Sequence, residues 1–466
     1  KGCDRMPPPR QGKLVLRSLR TSPPQRILLS FALVILAGTL LLMVPQANTG
    51  TSPGFLRALF TATSATCVTG LVLSDTGTFW SLFGQVVIIT LIQVGGLGYM
   101  VLTTILMASF RNRRLGVRQT GDFCESTPLP SHRDPRSFAK SIATIVIVSE
   151  GLGALILSVR FLRDMPAGKA VWNGVFTSIS AFCNAGFDVL GRHMTSLETY
   201  VSDLTVNLVV SLLIILGGLG FVVIDEVAHH IVRPVHKRLS THVRVVLLLT
   251  AILVFGGAAT IYLLERTNPS TFRALPIRTR LLASWFQSVT ARTAGFNSVP
   301  MAALRPATLM VIIGLMFIGA SPGGTGGGVK TTTFAVVLGF VWSALAESEQ
   351  VRLGKRGIRM DTVKKGIVVF TLSLGVVVTA TFLLAIMDGH RFSTLNLLFE
   401  VTSAFGTVGL STGLTPSLSP GSQIVLIATM LAGRVGVLTA MLTLVAPVQN
   451  RIEHHIHFAE DDVVIG

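Results

Sequence analysis

Four short stretches that end in glycine recur along the chain at nearly constant spacing, and this repetition restricts the fold more than any other feature. The stretches are Cys67-Val68-Thr69-Gly70, Cys183-Asn184-Ala185-Gly186, Arg292-Thr293-Ala294-Gly295 and Gly406-Thr407-Val408-Gly409. Their final glycines lie 116, 109 and 114 residues apart. An aromatic residue stands ten positions before each of these glycines: Phe60, Phe176, Trp285 and Phe399. Such a period predicts four copies of one structural unit.

Long apolar runs separate the stretches and place the chain among membrane proteins. Half of the 466 residues are hydrophobic and only 13% are charged, whereas roughly a quarter of the residues in a soluble protein are charged. A helix needs about 20 apolar residues to cross a bilayer, and the runs are of this length. The composition therefore predicts a polytopic membrane protein without a soluble domain.

The net charge of +17 is unevenly distributed, which argues against nucleic acid as a partner. Of the 39 Lys and Arg residues, 25 lie in the N-terminus, in segments 111–140, 225–244 and 352–365, and in the C-terminal tail. An excess of positive charge on alternate connections predicts that these parts, including both termini, are cytoplasmic. Segment 265–280, with four arginines in a supposedly external connection, fits this rule least well.

Each unit is predicted to contain two spans around a short central helix. The apolar piece before the first glycine stretch has only about 12 residues, too few to cross a bilayer, and is typical of a re-entrant helix. The predicted fold is an all-α integral membrane protein with four helix–pore loop–helix repeats, eight transmembrane spans, four re-entrant pore helices and pseudo-fourfold symmetry. The parts are a basic cytoplasmic N-terminus (1–25), repeats 26–110, 139–224, 243–340 and 366–446, and a cytoplasmic tail (447–466).

Two of the second spans share a glycine motif. Gly95-Gly96-Leu97-Gly98 in the first repeat matches Gly217-Gly218-Leu219-Gly220 in the second. Small residues let membrane helices approach closely, so helix packing is the preferred explanation. A bend in the helix around a pore is the alternative.

Four loops that enter a membrane from the same side can surround one axis. Irregular backbone at membrane depth must line water or be buried in protein, because its polar groups need partners. Carbonyl oxygens of such loops can replace the hydration shell of a small cation, and short helices can direct their negative C-terminal ends at it. The glycine stretches hold no ring of Asp or Glu, which favours selection by carbonyls. The alternative is that the four glycines only cap helices.

The four stretches resemble the selectivity filter of the Trk/Ktr/HKT potassium-uptake proteins, and the fourth carries the Thr-Val-Gly of potassium-channel filters. The resemblance extends from about residue 15 to the end, and eight spans resemble the bacterial KtrB-type subunit more than the longer TrkH type. It implies that the four stretches bind the transported K⁺, the one metal ion expected. Glycine at all four key positions goes with K⁺ preference in this family, whereas serine in the first position, found in some plant members, admits Na⁺.

The second span of the third repeat is interrupted by segment 319–333, which is too rich in glycine and proline to continue a helix. A nucleotide-binding loop is rejected because Val329 separates Gly328 from Lys330. In the Trk/Ktr/HKT family, a similar segment is an intramembrane loop that gates the pore below the filter. The gating residues that this resemblance implies here are Gly323, Gly324, Thr325, Gly326, Gly327, Gly328 and Lys330. A merely broken helix is the alternative.

Arg434 lies inside the last apolar run. A central arginine costs about 2.5–3.5 kcal/mol on insertion scales, so it is expected to face the pore or a carboxylate. It matches the family's pore arginine below the filter, which implies a gating role; a paired structural arginine is the alternative. Glu150 is either a packing residue or the partner of Arg434. Glu400 is expected to attract cations near the pore mouth, with a structural hydrogen bond as the alternative.

The chain is therefore predicted to be the pore-forming subunit of a potassium-uptake system, without enzymatic activity or an organic cofactor. It is expected in the cell membrane, the inner membrane of a bacterium, among lipids. The resemblance implies a homodimer and a cytoplasmic nucleotide-binding regulatory ring of the KtrA/TrkA type. Dependence on Na⁺ is left open. One rival is a less selective sodium/potassium transporter on the same fold. Another rival, an organic-solute carrier built on inverted repeats, is disfavoured, because inverted repeats need an odd number of spans and each parallel repeat predicted here has two.

Overall fold

The structure, a computed structural model, describes residues 23–50, 52–109, 135–190, 196–232, 239–348, 350–354 and 356–437. Predictions about the N-terminus up to residue 22, the basic segment 110–134, the end of the fourth repeat and the tail lie outside these residues.

The described chain is almost entirely helical, and its helices recur in one order. They are α1 (Pro23–Met43), α2 (Gly54–Thr66), α3 (Thr76–Phe79), α4 (Leu82–Ser109), α5 (Pro135–Phe161), α6 (Ala167–Phe182), α7 (Leu204–Leu219), α8 (Phe221–Val232), α9 (Thr241–Glu265), α10 (Ile277–Thr290), α11 (Pro306–Phe317), α12 (Thr331–Leu345), α13 (Met360–Asp388), α14 (Thr394–Gly406) and α15 (Pro420–Val435). Two-residue antiparallel strands, β1 (Arg352–Leu353) and β2 (Arg356–Gly357), lie between α12 and α13.

In each quarter of the chain a leading helix precedes a short helix, and a trailing helix follows. The leading helices are α1, α5, α9 and α13; the short helices are α2, α6, α10 and α14; the trailing helices are α4, α7–α8, α11–α12 and α15. Local sequence sets several starts: the hydroxyl of Ser240 accepts from the Val243 N–H at the start of α9, and Ser393 and Ser419 cap α14 and α15 in the same way. Such caps satisfy amide groups that have no partner within the helix.

Among the described residues, three helical stretches are long and apolar enough to cross a membrane: 140–161, 241–265 and 360–388. The pair α7–α8 passes the same test together but is bent by 105° between its halves. Four further apolar helices, 27–43, 82–98, 306–317 and 331–345, have only 10–17 residues. The eight predicted spans therefore stay a prediction.

The short helices form the centre of the molecule, and the leading helices form its outside. Three of the four repeated aromatics, Phe60, Phe176 and Phe399, are fully buried. In the third quarter Trp285 is only partly buried, and its neighbour Phe286 is fully buried. The leading helices expose many large apolar side chains, including Leu33 at 57% and Ile147 at 70%. Such an apolar exterior suits a hydrocarbon solvent.

The first glycine of the trailing-helix motif allows close packing. A Cβ at this position would come closer than 3.0 Å to the carbonyl oxygen of a residue near the end of a short helix. The pairs are Gly95 with Thr66, Gly217 with Phe182, and Gly433 with Phe405. The packing explanation is therefore right for this position, which also recurs in α15, where the sequence comparison had not placed it.

The last glycine of the motif breaks the helix. Gly98, Gly220 and Gly436 have φ values of 73°, 92° and 93°, a left-handed conformation that disfavours other residues. The bend between α7 and α8 is centred on Gly220. Bending, the alternative in the sequence, is therefore also present, at a different glycine from the one that packs.

Candidate ion-binding site

The four glycine stretches lie at the C-terminal ends of the four short helices. We call them segment 1 (67–70), segment 2 (183–186), segment 3 (292–295) and segment 4 (406–409). In each, the key glycine and the residue two positions before it have positive φ: Val68 57° and Gly70 95°, Asn184 59° and Gly186 68°, Thr293 73° and Gly295 84°, Thr407 50° and Gly409 93°. A left-handed non-glycine residue costs of order 1–3 kcal/mol and is typical of functional sites.

The four key glycines form a closed ring, because each lies against the segment of the next repeat. A Cβ on any of them would come closer than 3.0 Å to a carbonyl oxygen of the neighbouring segment. The pairs run in order around the molecule: Gly70 with Ala185, Gly186 with Ala294, Gly295 with Val408, and Gly409 with Thr69. The prediction that these stretches surround one axis agrees with this geometry, and we refer to it as the glycine ring.

Serine side chains fix two of the segments from behind. The amide of Gly70 donates to Ser64 Oγ at 3.1 Å, and that of Gly409 donates to Ser403 Oγ at 3.0 Å. Ser180 occupies the same place in the second repeat, where its hydroxyl donates to the Phe187 carbonyl at 2.6 Å. Sequence reasoning missed these serines, although each stands six positions before a key glycine.

A cavity of about 230 Å³ opens on one side of the ring, and all four key glycines line it. The carboxyl-bearing residues Asp75, Asp188 and Glu198 also line it. Sequence reasoning missed all three, although Asp188 follows Gly186-Phe187 directly. The cavity is large enough for several waters, since each takes about 30 Å³ in the liquid.

Burial and nearby charge change the titration of this cavity. Burial raises the pKa of Asp188 to about 6, the Leu190 amide opposes this rise by donating to the carboxylate, and the Asp75 charge adds to it. Burial also raises the pKa of Glu198, whose Oε1 accepts from Asn297 Nδ2 at 2.6 Å. Asp188 therefore gains most of its negative charge as the pH rises through about 6.

Glu400 does not line this cavity, contrary to the role expected for it. Its side chain is fully buried. Its carboxylate accepts hydrogen bonds from the Ser411 hydroxyl at 2.7 Å, the Thr412 amide at 2.9 Å and the Thr415 hydroxyl at 2.7 Å. The structural alternative is thus right: Glu400 holds the chain that follows segment 4.

The glycine-rich loop (residues 319–330) lies against the ring on the side of the trailing helices. The Thr325 hydroxyl donates to the Phe182 carbonyl, which precedes segment 2, at 3.2 Å. The Gly327 amide donates to the Thr407 hydroxyl of segment 4 at 2.9 Å. A Cβ at Gly326 would collide with the Thr293 hydroxyl of segment 3. The loop thus contacts segments 3 and 4 and the residue that directly precedes segment 2.

Backbone hydrogen bonds anchor the same loop to the broken trailing helices. The amides of Ser321 and Thr325 donate to the carbonyls of Gly218 and Gly217, each at 3.0 Å. The Gly323 carbonyl accepts from the first amide of α8, and the Gly324 amide donates to the Ser321 carbonyl. Gly328 donates to the Gly433 carbonyl at 3.3 Å. Lys330 Nζ donates to the Gly326 carbonyl at 2.6 Å.

Arg434 connects this loop to a second trailing helix. Its guanidinium donates to the Thr325 carbonyl of the loop and to the Gly95 carbonyl of α4. Glu150 is not its partner, because both carboxylate oxygens of Glu150 accept from Gln93 Nε2 at 3.1 Å. Arg434 is paired, as one alternative held, but with backbone carbonyls rather than with a carboxylate.

The side chain of Arg292 points away from the glycine ring cavity. It is 8% exposed and lines a separate small cavity with Ile214, Ile215 and Val254. Within the described part of the chain, its Nε has no hydrogen-bond partner. Only the backbone of Arg292 is therefore available to an ion in the ring.

Cys67 and Cys183, the two cysteines within the described ranges, are buried free thiols. Cys67 begins segment 1 and Cys183 begins segment 2. Segments 1 and 2 meet at the close approach of Gly70 to the Ala185 carbonyl.

A family model described as TrkH, a cation transport protein, matches residues 21–454. The chain belongs to the TrkH family. This assignment confirms the predicted Trk/Ktr/HKT resemblance. The family consists of transport proteins, which also confirms that the chain is not an enzyme.

Three relatives match nearly the whole chain. Ktr system potassium uptake protein B of Vibrio alginolyticus is 38% identical over 95% of this chain and 95% of its own length. The protein of the same name from Bacillus subtilis is 37% identical over 94% of this chain and 97% of its own length. Potassium/sodium uptake protein NtpJ of Enterococcus hirae is 36% identical over 96% of this chain and 98% of its own length.

The fold is similar to that of a solved TrkH-family structure. The potassium transporter TrkH from Vibrio parahaemolyticus superposes with a TM-score of 0.71 over 92% of this chain and 86% of that chain. The two sequences are 18% identical, so this likeness concerns the fold alone. The helical, membrane-type architecture predicted for this TrkH-family chain agrees with it.

Proposed function

We propose that this chain is the pore-forming subunit of a potassium-uptake system, which moves K⁺ through the glycine ring into the cell down its electrochemical gradient. The observation that carries the proposal is the closed order of the ring, in which each key glycine lies against a carbonyl of the next segment. The relatives named potassium uptake proteins support K⁺ as the transported ion.

Ions enter from the 230 Å³ cavity, where the three carboxyl groups raise the local concentration of cations. In the ring, carbonyl oxygens of the four segments replace water around K⁺. The four short helices end at this ring, so their negative C-terminal ends add to the attraction. Side chains such as Arg292 stay outside the ion path, and the backbone of all four segments provides the site.

The glycine-rich loop, Lys330 and Arg434 form the gate on the far side of the ring. The loop contacts segments 3 and 4 and Phe182, the residue before segment 2. Two cationic side chains hold it in place. Positive charge in a low-dielectric path opposes the passage of K⁺. Opening therefore requires the loop to leave the ring and Arg434 to release the Thr325 carbonyl.

The four repeats form eight membrane passages around one pseudo-fourfold axis. The shorter apolar helices, α1 and the trailing helices α4 and α11–α12, belong to these passages. The chain lies in the inner membrane of a bacterium with its termini in the cytoplasm and the acidic cavity outside. It works as a homodimer, and a cytoplasmic nucleotide-binding ring of the KtrA/TrkA type controls the gate. The basic cytoplasmic segments, of which residues 352–365 include β1 and β2, are the expected docking surface for that ring.

A second candidate function is uptake of both K⁺ and Na⁺. The name of the Enterococcus hirae relative, a potassium/sodium uptake protein, favours it. Under the first proposal, the glycines at all four key positions favour K⁺ over Na⁺. The two candidates therefore predict different ratios of K⁺ to Na⁺ flux.

Flux measurements on the purified chain in liposomes test the proposal. Potassium and sodium uptake are measured under equal gradients, with and without the nucleotide-binding partner and against protein-free liposomes. We expect K⁺ uptake to exceed Na⁺ uptake at least tenfold and the partner to change the rate without changing the ratio. Equal fluxes of the two ions would favour the second candidate, and no protein-dependent flux of either ion would refute both.

A further inference from the structure

A partly buried polar cluster lies directly behind segment 2. Glu150 from α5 accepts two hydrogen bonds from Gln93 Nε2 of α4, each 3.1 Å long. The thiol of Cys183 lies 3.4 Å from Gln93 Oε1 and 3.9 Å from Glu150 Oε1. Three elements of the fold therefore meet in one set of polar contacts, which we call the Gln93–Glu150–Cys183 cluster.

The cluster touches the ring itself. Cys183 is the first residue of segment 2 and the C-cap of α6. On the same helix as Gln93, Gly96 packs so closely that a Cβ there would be 2.8 Å from the Cys183 sulfur. The Ser178 hydroxyl of α6 donates to the backbone carbonyl of Glu150 at 2.7 Å, which ties the two helices together. The start of segment 2 is thus held both by packing and by hydrogen bonds.

Segment 3 occupies the equivalent position in the next repeat, and different residues stand at the matched positions behind it. In the matched trailing-helix motifs, Ile215 stands where Gln93 stands, and Arg292 begins segment 3 as Cys183 begins segment 2. Ile215 and Arg292 line one small apolar cavity. Of segments 2 and 3, only segment 2 has an amide, a carboxyl group and a thiol in contact at its first residue.

A polar cluster whose members satisfy one another's hydrogen bonds rigidifies its surroundings, and here Cys183, the member that belongs to segment 2, is fully buried. Ion selection by carbonyl oxygens depends on where those oxygens are held. We propose that Glu150 is a positioning residue that, through Gln93 and Cys183, holds segment 2 at the place in the ring that discriminates K⁺ from Na⁺. The inference rests on the proposed function, because it assigns the cluster a part in the same ion path.

Two substitutions of Glu150 separate hydrogen bonding from simple packing. Glu150→Gln keeps an oxygen that accepts from Gln93 and changes the shape little, so the ratio of K⁺ to Na⁺ flux in liposomes should stay within twofold of the parent. Glu150→Leu fills similar space without polar atoms and frees Cys183. The same ratio should then fall at least threefold, mainly because Na⁺ flux rises, while K⁺ flux stays within twofold.

Three further variants make the result specific. Cys183→Ala should lower the ratio of K⁺ to Na⁺ flux less than Glu150→Leu does. The double variant should have the same ratio as Glu150→Leu alone, because both substitutions remove the same link between Glu150 and segment 2. Gln93→Leu should reproduce Glu150→Leu even if the latter does not fold. Ile215→Leu, at the matched position behind segment 3, should leave the ratio unchanged.

An unchanged ratio in both Glu150→Leu and Gln93→Leu would overturn the inference. So would an equal loss in Glu150→Gln and Glu150→Leu, since it would assign the effect to charge rather than to position. The parent protein is measured in the same preparations. If the parent itself shows no preference for K⁺, the proposed function fails; if the parent is selective and these variants match it, only this inference fails.

Discussion

The glycine ring is made almost entirely of backbone that recurs four times, whereas the layer beneath it depends on side chains that occur once. Every segment supplies the same pair of left-handed residues and the same close approach between glycine and carbonyl. Beneath them, the glycine-rich loop with its Lys330 and the side chain of Arg434 make contacts that have no counterpart among the described residues of the other repeats.

In the proposed pore the two regions have different tasks, and the difference in construction follows from those tasks. A small cation in a ring needs ligands on all sides, which four equivalent backbones provide. A gate needs a single element with two positions, and one loop held by a few releasable contacts provides that. Symmetry is therefore kept where the ion binds and lost where passage is controlled.

The largest expected effect concerns the packing that supports the repeated ring. Gly217→Ala places a methyl group against the Phe182 carbonyl, and overpacking of this kind costs about 1–3 kcal/mol or more. We expect a clear loss of thermal stability in detergent, despite the roughly 1 kcal/mol that alanine adds to a helix. The control is Gly375→Ala on α13, where nothing lies within 4 Å and stability should stay equal or rise. Equal behaviour of the two variants would show that this close approach is unimportant.

The next effect concerns the unrepeated layer. Arg434→Gln removes the positive charge and the double contact to the carbonyls of Thr325 and Gly95. K⁺ flux in liposomes without the regulatory partner should rise about tenfold, the equivalent of about 1.4 kcal/mol in the barrier. The ratio of K⁺ to Na⁺ flux should stay unchanged, because the ring is intact. Lys330→Gln, which removes one contact, should give a smaller rise; unchanged flux in Arg434→Gln would argue against a gate at this layer.

A smaller effect concerns the 230 Å³ cavity, which is separate from the glycine ring and from the layer beneath it. Asp188 has a pKa of about 6, so it is mostly ionised at pH 7.5 and mostly protonated at pH 5. Loss of one negative charge in a solvated cavity should raise the KM for K⁺ about threefold as the external pH falls through 6. In Asp188→Asn, KM should be high at pH 7.5 and change much less with pH. If the variant kept the pH dependence of the parent, Glu198, whose pKa burial also raises and which lines the same cavity, would be responsible instead.

The smallest effect concerns Glu400, which supports the ring from outside the ion path. Glu400→Gln weakens hydrogen bonds to Ser411, Thr412 and Thr415 and should lower stability by about 1 kcal/mol. The KM for K⁺ should not change, because the carboxylate does not line the cavity. A higher KM with unchanged stability would restore the role in cation attraction that its position in the sequence first indicated.

Repetition decided which parts of the site could be predicted from the sequence. The four key glycines can be identified from the sequence because they stand at matching positions of the four repeats. The loop at 319–333 can be identified because no helix tolerates its composition. The partners of Arg434 are backbone carbonyls of distant elements, which carry no signal in the sequence. Asp188 and Glu150 each occur in one repeat only, so their neighbours emerge only once the chain is folded.

The central claim is that four glycines act as one ring, and the flux ratio of K⁺ to Na⁺ in four single variants tests it directly. Gly70→Ser, Gly186→Ser, Gly295→Ser and Gly409→Ser are compared in liposomes with the parent and with Gly375→Ser. Each ring variant places a side chain against a carbonyl of the next segment, so all four should lower the ratio at least severalfold, while Gly375→Ser should not. A loss in one variant alone, or in none, would contradict a ring in which the four segments act together.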